Sequence, residues 1–279
     1  MSSFPYVYHL EVDVQVFYWI YDLPNWLIAL FYCAFFTAFG CGSLLLFRPY
    51  VRRYLEPEPS ANDLVYYFLS AYVVFYSLML GCIAVSSYSN FSKVEEAIGA
   101  EAATLAAIFN DVSMFPEPHR EKLQQGVITY TDRLVKKIWK DQRKGIINES
   151  LAPVVKEFYG NLLTFEPATR SHDNLQKETL SHLNKLLELR RQRINSVRMS
   201  IEPTFYYVVE IGAAITLWLC CLFSVKNERL HMLLVACLAV FIGLVIFLIA
   251  AMDNPYRGEF SVKPEAFELL LKTFADSQK

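Results

Sequence analysis

Apolar positions gather into four long runs, at residues 24–47, 64–88, 205–225 and 230–252. A polar stretch of more than a hundred residues separates the second run from the third. As helices, runs of about 20 residues cross a hydrocarbon core of about 30 Å. The pattern predicts an all-α integral membrane protein. Its four transmembrane helices form two pairs, with a helical extramembrane block between the second and third. The segments are an aromatic, acidic N-tail (1–23), the first span pair (24–90), the helical block (91–202), the second span pair (203–253) and a turn with an amphipathic C-terminal helix (254–279).

Within the block the period is helical throughout. One stripe holds Val94, Ile98, Leu105 and Phe109. A second holds Leu123, Val127, Tyr130, Leu134 and Ile138, and a third Leu151, Val154, Val155, Phe158 and Leu162. The long fourth holds Leu175, Leu183, Leu187, Ile194 and Val197. Proline and glycine mark breaks at 115–118, 145–150 and 167–171. No breaker divides the second span from the first of these helices, and only Pro203 divides the last from the third span. Both helices are therefore expected to continue out of the membrane as an antiparallel pair. Counting outward, Glu95, Glu96 and Glu101 reach the height of Arg190, Arg193 and Arg198. Pairing there, if exposed, adds only about 0–1 kcal/mol per pair and sets register. The alternative is a solvated basic face near lipid headgroups.

The spans carry few polar groups, so each one counts. Ala34, Ala38 and Gly42 have the spacing that lets another helix approach closely. Ser70, Val74, Ser77 and Gly81 share a narrow face that either lines a water path or packs tightly through small side chains. Glu210 is a carboxylate inside the third span, which costs about 2.5–3.5 kcal/mol at a helix centre and less toward the interface. It reads either as part of an ion path or as a group that reaches the interface or a neighbour. Asp253, Pro255 and Gly258 form a sharp stop where the fourth span leaves the membrane. Behind Pro264, Phe267, Leu270, Leu271 and Phe274 make an amphipathic helix for the protein or the membrane surface.

Composition narrows the picture further. Hydrophobic residues make up 54% of the chain and the net charge is −2, with no basic motif for nucleic acid. The six cysteines all lie in the apolar runs, where they act as small apolar residues. The N-tail has no basic residue, so the first span is expected to serve as its own insertion signal. Phosphate-binding glycine loops, HExxH, paired-cysteine motifs and GxSxG are missing, and His172 and His182 are not at metal spacing. The expectation is a non-enzyme without cofactor or metal. Basic residues in the short loops (Arg48, Arg52, Arg53, Lys226, Arg229) put those loops in the cytoplasm, with both termini and the block outside the cell membrane. Arg190, Arg191, Arg193, Arg198, Arg257 and Lys263 weigh on the other side.

Three stretches carry a resemblance. They are residues 248–267 with Asp253, Pro255, Gly258, Pro264 and Phe267; residues 94–97 followed by Glu101, Ala102, Leu105, Arg120, Tyr130 and Trp139; and Ile201-Glu202-Pro203. Over about residues 30 to 270 the chain resembles the bestrophin-like family of four-span membrane proteins. That family is named for a likeness to bestrophins, oligomeric anion channels with helical extensions on the cytoplasmic side. The resemblance implies one subunit of a ring with its pore on the axis, and a block on the side opposite to the short-loop count. Two functions stay open. One is a homo-oligomeric ion channel with Ser70 and Ser77 toward the axis, Glu210 tuning permeation or pairing, and a permeant ion of either sign. The other is a membrane-anchored interaction protein through which nothing permeates.

Overall fold

A computed structural model describes residues 23–55, 57–58 and 60–277. The N-tail at residues 1–22, with its aromatic cluster, lies outside the described residues. The helices are α1 (Asn25–Tyr50), α2 (Ala61–Val112), α3 (His119–Arg133), α4 (Trp139–Gln142), α5 (Ala152–Leu163), α6 (Arg170–Ser196), α7 (Pro203–Cys221), α8 (Glu228–Asp253) and α9 (Glu265–Ser277). Single π-helical turns follow α1 (Val51–Leu55) and join α3 to α4 (Leu134–Ile138). The described residues divide into a membrane unit, chiefly residues 23–89 and 200–253, and a helical unit, chiefly residues 90–199 and 261–277. The fold is all-helical, with four helices long and apolar enough to span a bilayer: α1 with its π turn, α2, α7 and α8.

In the membrane unit, α1 meets α8 at close range. A Cβ on Gly243 would stand 3.0 Å from the backbone of Cys33, and one on Gly40 would stand 3.1 Å from Val235 Cγ1. This is the small-residue contact that brings helices together in lipid, but on a different face from the expected one. Ala34 and Ala38 are exposed and Gly42 has open space around it. The first span also runs past its expected stop. Pro49 lies inside α1, and the chain passes into the π turn at Val51 instead of ending. A proline near a helix end removes one N–H and crowds the carbonyl four residues back, which a wider turn accommodates. The two short connections lie together: the Asn62 side chain donates to Ser224 O (3.0 Å) and accepts from Ser224 N–H (2.8 Å). Glu228 takes both Arg48 (2.7 Å) and Arg52 (2.5 Å) beside them.

The helical unit has a core of its own. Leu105, Ile108, Leu123, Leu134, Ile138, Leu151, Leu162 and Leu183 are almost fully buried. Its breaks fall at 113–118, 143–151 and 164–169, where proline or glycine predicts them. α9 closes this core with protein contacts: Phe267 and Phe274 are buried, and Phe274 stacks on Phe109 at 4.1 Å.

Of the two expected continuous helices only one exists. α2 runs for 52 residues, about 78 Å, more than twice the hydrocarbon thickness. α6 ends at Ser196 and α7 begins at Pro203, with 197–202 non-helical. Pro203 bars helical dihedrals at Glu202, whose ψ is 130°. The Asp253 carboxylate accepts the Ile201 N–H freed by the break.

Candidate functional site

The membrane part of α2 is turned by two tyrosines. Tyr72 donates its hydroxyl to Gly212 O (3.2 Å) and Tyr76 to Val209 O (3.1 Å), so both rings lie on α7. Gly212 makes room for them, since a Cβ there would overlap the Tyr76 ring. Further along, Ser87 donates to Ile249 O (3.2 Å). Tyr76, Leu80, Ile83 and Ser87 are all buried on this side. At about 100° per residue, Ser77, Ser70, Gly81 and Val74 then fall roughly 100–160° round from Tyr76, away from α7. All four are exposed, and nothing approaches Gly81. The Ser77 hydroxyl is satisfied within the helix by Val74 O (3.0 Å). A bulkier face with Phe68 and Phe75, also exposed, lies between the two.

Glu210 does not share the serine face. α7 turns Val209 and Gly212 toward α2, which puts Glu210 about 100° round from the first and about 160° from the second. Its side chain is exposed on the surface of the chain. At the exit of the fourth span, Asp253 is buried and holds Ile201 N–H. Pro255 O accepts Val262 N–H (2.8 Å), and Gly258 has φ +89°, a left-handed conformation that suits glycine.

The helical unit contains a buried charge cluster. Glu101 on α2 is 0% exposed and Arg193 on α6 is 1% exposed. Arg193 Nε donates to Glu101 Oε2 (2.6 Å) and Nη2 to Oε1 (3.2 Å), a two-pronged pair, and the Tyr130 hydroxyl adds a third donor to Oε1 (2.9 Å). Burial and the Glu101 charge push the Tyr130 phenol far above its ordinary range. Burial works to neutralise Arg193, but the Glu101 carboxylate outweighs it and keeps the guanidinium charged. The Tyr256 hydroxyl, from the turn after α8, lies 3.0 Å from Ser196 Oγ and donates to Arg193 O (3.3 Å). Burial pushes Tyr256 up to about 12.

The pairing of Glu101 with Arg193 is thus one of the expected stalk contacts, but a core one and not an exposed register mark. Glu95, Glu96 and Arg198 are exposed and form no ion pair among the described residues. Arg190 is half-buried beside the cluster. Sequence reading missed Tyr130, Ser196 and Tyr256 as members. Tyr130 was visible as one apolar position in a stripe and as one of the residues that carry the resemblance, not as a partner of Glu101. His182 also gains a role, bridging to Asp111 of α2 (Nδ1 to Oδ2, 2.7 Å). Asn148 is engaged in its own turn, donating to Asp141 and accepting the Ser150 N–H.

Comparison with known proteins agrees with this architecture. Crystal structures of two point mutants of a bacterial bestrophin homologue from Klebsiella pneumoniae match it. One has TM-score 0.67 at 10% identity, covering 90% of this chain and 98% of that one. The other has TM-score 0.66 at 9% identity, covering 89% and 98%. At such identity the likeness is one of fold. No curated protein matches the chain in sequence. The sequence model of the Bestrophin-like domain, however, matches residues 34–267, from the first span to the first buried phenylalanine of α9. On that match the chain belongs to the bestrophin-like family.

Proposed function

We propose that the protein is one subunit of a homo-oligomeric ion channel in the plasma membrane, with a pore on the oligomer axis lined by α2. The supporting observation is the asymmetry of that helix. One side is tied to α7 by Tyr72 and Tyr76, while the side with Ser70, Ser77 and Gly81 is left uncovered by the other described residues. Small hydroxylated residues suit a wetted surface, whereas Phe68 and Phe75 suit lipid or a neighbouring subunit. The face is uncharged and does not select the sign of the ion. Glu210, exposed on α7, reaches the path in this reading only across a subunit boundary. By the positive-inside count, the joined short loops are cytoplasmic and the helical unit lies outside.

The test is current through the purified protein in planar bilayers, combined with single-particle images of its symmetry. In a background without native cysteines, Ser77→Cys should be modified by a water-soluble thiol reagent with a change in current, and Phe75→Cys should not. Current with Ser77→Cys inert would move the pore off this face. Well-formed oligomers without current would assign the chain to membrane anchoring instead. Selectivity unmoved by Glu210→Gln would remove that carboxylate from the path. Impermeant labelling of a cysteine at Gln192 reports the side of the helical unit.

A further inference from the structure

The buried cluster holds more donors than acceptors. Arg193 spends Nε and Nη2 on Glu101, but its Nη1 is buried without an acceptor. Arg190 Nε, three residues earlier on α6, is likewise buried and without an acceptor. Residues three apart on a helix are neighbours on one face. Both guanidinium charges lie near enough to act on the Tyr130 hydroxyl. The Tyr130 hydroxyl gives its proton to Glu101 and is not within hydrogen-bond reach of either free nitrogen. Among the described residues, Glu101 is the one carboxylate buried in the helical unit. One negative charge therefore faces two positive ones. A buried N–H without an acceptor is unfavourable, most of all on Arg193, whose side chain is 1% exposed, so this position favours an acceptor. Water would satisfy the N–H groups and leave the excess charge in place. A small anion satisfies both.

We propose that Arg190 Nε and Arg193 Nη1 form an internal anion site in the helical unit, which takes a small monovalent inorganic anion such as a halide. The site is independent of any pore and is a structural ligand of the α2–α3–α6 cluster. Bound anion completes the charge balance that Glu101 begins, so it stabilises the folded chain by mass action.

The experiment uses the full chain in detergent. Its unfolding temperature is followed while sodium gluconate is replaced by sodium bromide or chloride at constant ionic strength. The halides should raise the midpoint along a saturating curve, and Arg190→Met should abolish the rise. Anomalous diffraction from bromide-grown crystals of the unsubstituted protein should show a peak beside Arg190 Nε and Arg193 Nη1, whether or not the variant folds. A midpoint indifferent to the exchange, a rise that survives in Arg190→Met, or a bromide map without the peak would each overturn the site.

Discussion

The two units solve the same packing problem with different chemistry. In the membrane unit, helices meet through glycine and through hydroxyls placed on backbone carbonyls: Gly243 against Cys33, Gly212 under Tyr76, and Tyr72, Tyr76 and Ser87 each bonded to a main-chain oxygen. In the helical unit, helices meet through a dense leucine and aromatic core, crossed at one place by a buried ion pair. Lipid tails are as apolar as leucine, so burying leucine gains little in a bilayer and close fit decides. In water, burial itself is the driving force, at about 25 cal/mol per Å². The aqueous unit can then carry a desolvated charge pair that adds little net stability and restricts which arrangements of α2, α3 and α6 are allowed.

The sharpest break of this contrast is at Glu101. Glu101→Gln leaves the Arg193 guanidinium buried and uncompensated, so the helical unit should lose about 3–5 kcal/mol. Glu101→Met with Arg193→Met removes both charges and should recover most of that loss. Chemical denaturation, or protease resistance of the whole protein, measures both. A double variant as damaged as the single one would mean that the pair is a net stabiliser and not a device for specificity.

In the membrane unit the comparable lesion is steric. Gly212→Val pushes a side chain into the Tyr76 ring, which cannot move without giving up Val209 O. Overpacking of this kind costs about 1–3 kcal/mol and should loosen α2 from α7, seen as lower resistance to unfolding in denaturing detergent. Glycine at 81, with open space around it, should accept alanine with no such penalty.

Alkaline pH separates the units differently. The Tyr256 phenol has its ordinary value of 10.0 when unfolded and about 12 when folded. The folded state thus holds this proton more tightly, and its contribution is full below about pH 10 and is lost as pH rises toward 12. A two-unit difference corresponds to about 3 kcal/mol at most. Stability of the helical unit should fall over this window, and Tyr256→Phe should show a shallower fall. An identical pH profile in the variant would take Tyr256 out of the linkage.

How much of this was legible follows the same division. The spans and the breaks of the helical block could be read because apolar runs and prolines act locally. Pro49 inside α1 could not, since a π turn after it depends on what the chain does next. The Glu101–Arg193 pair could be reached by counting heights along antiparallel helices, but not its burial. The stripe read for α6 held Leu175, Leu183, Leu187, Ile194 and Val197; of these only Leu183 is among the fully buried positions, the others being Thr179, Leu186, Leu189, Arg193 and Ser196. Polar residues on a buried face look like surface residues until their partners are known, and Tyr130 and Tyr256 come from other segments. On α2, hydroxyl spacing marked the serine face, but Tyr72 and Tyr76 decide where it points.

The mildest test bears on how much hydroxyl-to-carbonyl bonds hold in the membrane. Tyr76→Phe keeps the ring on Gly212 and removes only the donor to Val209 O. Interhelical hydrogen bonds in membranes average about 0.6 kcal/mol and reach about 1.7, because the unfolded helices also find partners. The expected loss is therefore small, well below that of Gly212→Val at the same contact. Tyr72→Phe should behave alike through Gly212 O, and the two together should roughly add if each bond acts alone. A loss in Tyr76→Phe as large as that in Gly212→Val would reverse the assignment: the hydroxyls, and not the fit of ring to glycine, would then be what fixes α2 on α7 and turns Ser70 and Ser77 outward.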